Sequence, residues 1–175
     1  NYAYGSVGKV FLEFEEIFWD DFDASSFLWL AKDVNELGDR KWLLGFVAFL
    51  KVVSFPHLLE GFISGEHVKK FEEISDEKLI DDCMWVLEKF FNRELPKPKA
   101  MRRTKWESNP HFLGTYSYIN VGLENLNFKD LAEPIRKIDG KPFIHFAGEA
   151  TDFKYPGYVH GAVDSGYRAA NEIDL

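Results

Sequence analysis

A chain of 175 residues with 46% hydrophobic side chains has ample apolar material for a core of ordinary domain size, which argues against a disordered segment. Its formal charge of -8 argues against the clustered Lys and Arg footprint of a phosphate-backbone binder and would suit a cationic small molecule, although many proteins are acidic for solubility alone. A single cysteine, Cys83, leaves no disulfide framework and no thiolate metal site, and no apolar run reaches membrane-spanning length.

In chain order, the alternation of Lys9-Val-Phe-Leu-Glu-Phe14 predicts a strand, and Ser26-Phe-Leu-Trp-Leu30 a second. Gly45 to Val53 and Leu58 to Ser64 read as two more, with Pro56, Gly61 and Gly65 as turn or bulge signals. A helix is expected from Asp76 to Phe91, where Leu79, Ile80, Cys83, Met84, Leu87, Phe90 and Phe91 recur at helical spacing. Ser75 is its N-cap, Asp76 and Glu77 favour the positive end of its dipole, and Pro96 and Pro98 stop it. Ala100 to Trp106 reads as a strand, Ser108-Asn-Pro110 and the Gly114 region as loop, and Gly122 to Gly140 as irregular. A short apolar strand, 143–147, then runs into Gly148-Glu149, and a Gly- and Ala-rich helix spans 159–173.

The last of these segments carries the most chemistry. Gly148 permits close backbone approach, and Glu149 offers a carboxylate that accepts from hydroxyls or backbone amides. Gly161, Ala162, Ser165, Gly166, Ala169 and Ala170 let the terminal helix press close to a neighbour, while its N-terminus presents unpaired N–H groups to an anionic or electron-rich edge. On the residues alone, a tightly packed terminal helix accounts for this slightly better than a ligand site.

The ordered set Phe146-Ala-Gly-Glu-Ala-Thr151, Tyr155-Pro-Gly-Tyr-Val-His-Gly-Ala162 and Ser165-Gly-Tyr-Arg-Ala-Ala170 resembles the C-terminal flavin-binding signature of the flavin amine oxidases. Val7-Gly-Lys-Val-Phe-Leu-Glu-Phe-Glu-Glu-Ile-Phe-Trp19 resembles the strand that carries the family's flavin-facing lysine, and Arg102 to Tyr118 the segment joining substrate and flavin domains. The resemblance is nearest to the polyamine oxidase branch, that of spermine and acetylpolyamine oxidases. It implies FAD as cofactor, with Trp106, Gly148, Glu149, Tyr158 and Val159 as cofactor-binding residues, the last through its backbone N–H. It implies Lys9 as the catalytic lysine, holding a water near flavin N5, and Tyr116 and Tyr158 as facing walls of a substrate cage. It implies no metal. Tyr158 departs from the small hydroxyl residue of the animal polyamine oxidases and matches the tyrosine of plant polyamine oxidases and monoamine oxidases. His160 beside it is given a packing or hydrogen-bonding role.

The fold expected is an α+β substrate domain with a mixed sheet and flanking helices over residues 1–113. A connecting segment and the C-terminal strand and helix of a Rossmann-like FAD-binding domain follow over 114–175. The Gly-x-Gly-x-x-Gly loop that binds the FAD pyrophosphate is absent from the chain, so the expectation is a piece of a longer family member or a chain that has lost its cofactor. The function expected of the whole protein is oxidation of a polyamine by hydride transfer to flavin N5, with oxygen as acceptor and aldehyde, amine and hydrogen peroxide as products. The alternatives are an inactive remnant serving as a binding or structural module, and another flavin amine oxidase of the amino-acid oxidase or lysine demethylase type. The partners expected are a polyamine and oxygen, with no nucleic acid and no membrane. An intracellular, cytoplasmic setting is expected, or a peroxisomal one if a C-terminal signal follows Leu175. Without its parallel sheet, the 143–147 strand is expected to leave the isolated chain prone to aggregation.

Overall fold

The computed structural model describes residues 3–19, 23–122 and 129–173. Its strands in chain order are β1 (Ala3–Gly5), β2 (Val7–Glu13), β3 (Ala24–Ser25), β4 (Phe46–Lys51), β5 (Leu58–Ser64), β6 (Ala100–Arg103), β7 (Tyr116–Tyr118), β8 (Ile135–Arg136) and β9 (Pro142–Ile144). Its α-helices are α1 (Ala31–Glu36), α2 (Val68–Glu73), α3 (Asp76–Phe91), α4 (Lys129–Ala132) and α5 (Val159–Asn171), and a 3-10 stretch covers Gly38–Gly45. The chain divides into two compact units, Ser6–Thr115 and Asn1–Gly5 with Tyr116–Leu175.

The Ser6–Thr115 unit is built on a five-stranded sheet in the order β3-β4-β5-β2-β6. Its pairings are antiparallel throughout, where a mixed sheet was expected; β4 and β5 are joined by a short hairpin, which only an antiparallel pair permits. Alternate residues of β2 and β5 are buried, so Val10, Leu12, Leu59 and Ile63 join a core with Phe71 of α2 and Leu79, Cys83 and Leu87 of α3, while Lys9, Phe11 and Glu13 stand on the other, half-exposed face. Gly61 lies inside β5 rather than at a turn. A Cβ there would meet Phe46, Val10 and Phe49 at 2.8–2.9 Å, so the glycine makes room for aromatic packing. Gly65, by contrast, is a turn glycine, with φ +75°.

Helix α3 has the expected bounds, and Ser75 accepts from the Lys78 amide as its N-cap. It ends before Pro96, because Asn92 takes the left-handed conformation that closes a helix. Its buried face includes Asp82, which the apolar pattern does not show. That carboxylate accepts from Arg40 Nε at 2.8 Å, Trp42 Nε1 at 3.1 Å and Lys78 Nζ at 2.7 Å.

The strand expected at 26–30 does not form. Only Ala24 and Ser25 pair, with Leu50 and Phe49. The alternation there serves another purpose: Phe27 and Trp29 pack on Phe90 and Trp85 while Leu28 and Leu30 face outward. Helix α1 escaped the sequence reading because it buries no residue and so has no apolar period; Asp33 accepts from the Leu30 amide at its start.

In the other unit, β1 pairs with β7 and β8 with β9, each antiparallel. The strand expected over 143–147 is thus shorter, Pro142–Ile144, and takes the neighbouring β8 as partner. The expected irregular stretch contains α4 and β8, while its residues 123–128 lie outside the described ones. Helix α5 is amphipathic and buries Gly161, Ser165 and Ala169.

Candidate functional site

Lys9 is held on β2 by a reciprocal pair of bonds just beyond the end of β6. Its amide donates to Thr104 Oγ1 at 2.9 Å, and its carbonyl accepts from the Thr104 amide at 2.9 Å. The ammonium lies 2.7 Å from Glu60 Oε1 and 5.8 Å from the centroid of Phe62. Trp106, in the loop after β6, is 40% exposed and packs edge-on to Phe112 with centroids 4.9 Å apart. The loop is fixed from α2: the buried carboxylate of Glu72 accepts from the amides of Glu107 and Ser108 at 2.9 and 2.8 Å. Two amides satisfied by one carboxylate make the residue after Trp106 a rigid point rather than a hinge.

Glu149 organises the other unit. Its Oε1 accepts from the Ser117 amide at 2.8 Å, and its Oε2 from Ser117 Oγ at 2.7 Å and the Gly157 amide at 2.6 Å. One carboxylate thereby ties strand β7 to the loop before α5, committing three of its roughly four acceptor positions inside the chain. Gly157 has φ +81°, and a Cβ on it would lie 3.6 Å from the Ser117 carbonyl and 4.0 Å from the Tyr116 ring. Tyr116 is therefore beside the residue that precedes Tyr158. Both rings are substantially exposed, at 41% and 61%.

Gly148, at φ +138°, turns the chain after the β9 segment. Its amide donates to Ser165 Oγ at 2.8 Å, and its carbonyl accepts from the Thr151 amide and hydroxyl. Arg168, one turn further along α5, donates to the Phe146 carbonyl at 2.9 Å, to Thr151 Oγ1 at 3.0 Å and to Glu172 Oε1 at 2.8 Å. Strand end, Gly-Glu turn and helix are thus one hydrogen-bonded piece. Tyr158 is the extended N-cap residue of α5; no side chain caps the helix, and Val159 is 83% exposed. The first N–H groups of a 13-residue helix are left open to a ligand edge bearing negative charge. His160 lies between two phenols, its ring centroid 4.4 Å from Tyr155 and 5.3 Å from Tyr158, a packing arrangement.

The structure brings Gly148, Glu149, Tyr116, Tyr158 and Val159 into one unit, and Lys9 and Trp106 belong to the other. Sequence reasoning did not single out Glu60, Glu72, Thr104, Ser117 or Arg168. Arg168 carried a signal, since it stands inside the terminal signature, and Thr104 and Ser117 stand inside the Arg102 to Tyr118 segment.

Residues 1–174 match the family described as flavin containing amine oxidoreductase. The chain is 36% identical to the peroxisomal N(1)-acetyl-spermine/spermidine oxidase of Bos taurus, covering 98% of this chain and 35% of that protein. It is 35% identical to a possible lysine-specific histone demethylase 1 of Drosophila melanogaster, covering 98% of this chain and 19% of that one. Among solved structures, a cofactor-binding redesign of putrescine oxidase superposes with a TM-score of 0.68 at 20% identity, over 98% of this chain and 35% of that chain. Cyclohexylamine oxidase from Brevibacterium oxydans does so at 0.61 and 22%, over 95% and 34%. The chain thus spans about a third or less of the length of these proteins.

Proposed function

Given that the chain belongs to the flavin containing amine oxidoreductases, we propose that it supplies the substrate side and the C-terminal flavin-contacting side of an FAD-dependent polyamine oxidase. The observation that carries this is the uncapped start of α5, with Tyr158 and Val159 open to a ligand and Glu149 holding the preceding loop in place.

The residues present fit a flavin. Open helix N–H groups suit the edge of the isoalloxazine ring on which negative charge collects, and the positive end of the helix dipole stabilises that charge. In this reading the Val159 amide, Tyr158 and Gly148 hold the ring system, and Glu149 serves it mainly by accepting a hydrogen bond from the Gly157 amide and so fixing the loop. When bound, the flavin supplies the redox chemistry, accepting the electrons and hydrogen removed from the carbon next to the reacting nitrogen. The chain's own residues bind and orient. Tyr116 and Tyr158 offer aromatic faces to an amine, attractive to a cationic or polarised nitrogen. Lys9 holds a water and moves its proton. The unit Ser6–Thr115 contributes Lys9, and the unit containing α5 contributes Tyr116 and Tyr158 together with the flavin-facing helix start.

The fly relative favours a second reading, a demethylase acting on a methylated lysine side chain, which is also a substituted amine. The bovine relative's name supports a peroxisomal setting beside the cytoplasmic one. The test is the protein including whatever precedes Asn1, purified and assayed for peroxide with spermine, N1-acetylspermine, a dimethyl-lysine peptide and free amino acids. Bound flavin and turnover of the first two substrates support the proposal. Turnover of the peptide alone moves the function to demethylation, and a colourless protein that cannot be loaded with FAD overturns both.

A further inference from the structure

A carboxylate at Glu60 has no local reason to be there. It sits in β5 near the middle of the five-stranded sheet, flanked in register by Phe11 on β2 and Leu50 on β4. Its side chain is only 17% exposed, against 41% for Lys9, so the acid is the more buried member of the pair. Removing a carboxylate from water between two apolar neighbours is unfavourable unless a cation meets it. Lys9 does so from the same sheet face. Lys9 is opposite Phe62 and Phe11 is opposite Glu60, which makes Lys9 and Glu60 diagonal neighbours within reach of a long side chain. The result is the 2.7 Å contact, with the Phe62 ring 5.8 Å from the same ammonium.

We propose that Glu60 is a positioning residue for Lys9: it fixes the ammonium on the sheet face, taking one of its three N–H donors and leaving the others for water. The proposal rests on the reading of Lys9 as the water-holding lysine of an amine oxidase. A lysine side chain with four free torsions samples many positions, and a carboxylate and a ring together select one.

The experiment compares wild type, Glu60→Gln, Glu60→Asp and Glu60→Ala in the whole flavin-loaded protein by two measurements. The first is acetylation of Lys9 by N-hydroxysuccinimidyl acetate, followed by peptide mass spectrometry with Lys32 as internal reference. Loss of the carboxylate is expected to raise the Lys9 rate about two- to fivefold, the equivalent of a half-exposed ion pair, with Lys32 unchanged. The second is steady-state amine oxidation. Glu60→Gln and Glu60→Ala are expected to lower kcat by up to about 100-fold with KM held, and Glu60→Asp to restore part of it. An unchanged Lys9 labelling rate overturns the pair. Faster labelling with unaltered kcat overturns the positioning role while amine oxidation stands. A wild-type protein that binds flavin and oxidises no amine sinks the functional reading and the positioning role with it, and the labelling still reports on the ion pair separately.

Discussion

Replacing Glu149 by Gln keeps the shape of the side chain and changes one oxygen into an NH2 group. If the amide nitrogen takes the place of Oε1, it faces the Ser117 N–H donor; if it takes the place of Oε2, it faces the Gly157 N–H, and Ser117 Oγ must turn to accept. In either orientation one backbone donor loses its acceptor, and the surviving bonds lose their charge. A hydrogen bond to a charged group is worth about 1.5–3 kcal/mol, so the link between β7 and the loop before α5 weakens by about that much. Hydrogen exchange reads this locally. The amide of Ser117 or Gly157 should exchange about 10- to 100-fold faster in Glu149→Gln than in wild type, since each 1.4 kcal/mol is about a factor of ten. Amides of α3, in the other unit, serve as the control. Exchange at both amides within about twofold of wild type would refute the view that this carboxylate carries the loop.

The buried Asp82 anchors Arg40, Trp42 and Lys78 from inside the other unit. Asp82→Ala should cost about 3–5 kcal/mol in urea denaturation, and a loss under about 1 kcal/mol would contradict the network. Cys83 is fully buried, and burial pushes its thiol well above the ordinary range; it should resist iodoacetamide in the native protein and react once urea unfolds it, so native-state labelling at the rate of free cysteine counts against the packing. The hydrogen bonds from His145, then from Arg168, hold the Glu172 carboxyl below its ordinary value of 4.5. Because the folded value is the lower one, this tether of α5 is complete above the ordinary carboxyl range and is lost as pH falls through the folded value. Protection factors of the α5 amides, which divide out the intrinsic pH dependence of exchange, should therefore fall on acidification more in wild type than in Glu172→Gln, and equal responses would exclude the tether.

Some of this protein is legible in the order of its residues. The alternation of β2 and β5 and the helical period of the 16-residue α3 with its Ser75 cap are visible because pleat, helical repeat and cap depend on neighbours along the chain. The terminal Gly-Glu turn and small-residue helix are legible for the same reason, and with them the family. What the residue order did not show depends on strand register and on packing between distant segments. Arg40 lies 42 residues from Asp82, and Ser117 lies 32 from Glu149. The Ser26–Leu30 alternation looks like a strand, and only packing shows that it seats Phe27 and Trp29 on Phe90 and Trp85 instead. Glu60 reads as one more surface acid in a strand. Only the register of β2 against β5 sets it diagonal to Lys9, and only burial between Phe11 and Leu50 makes that neighbour necessary.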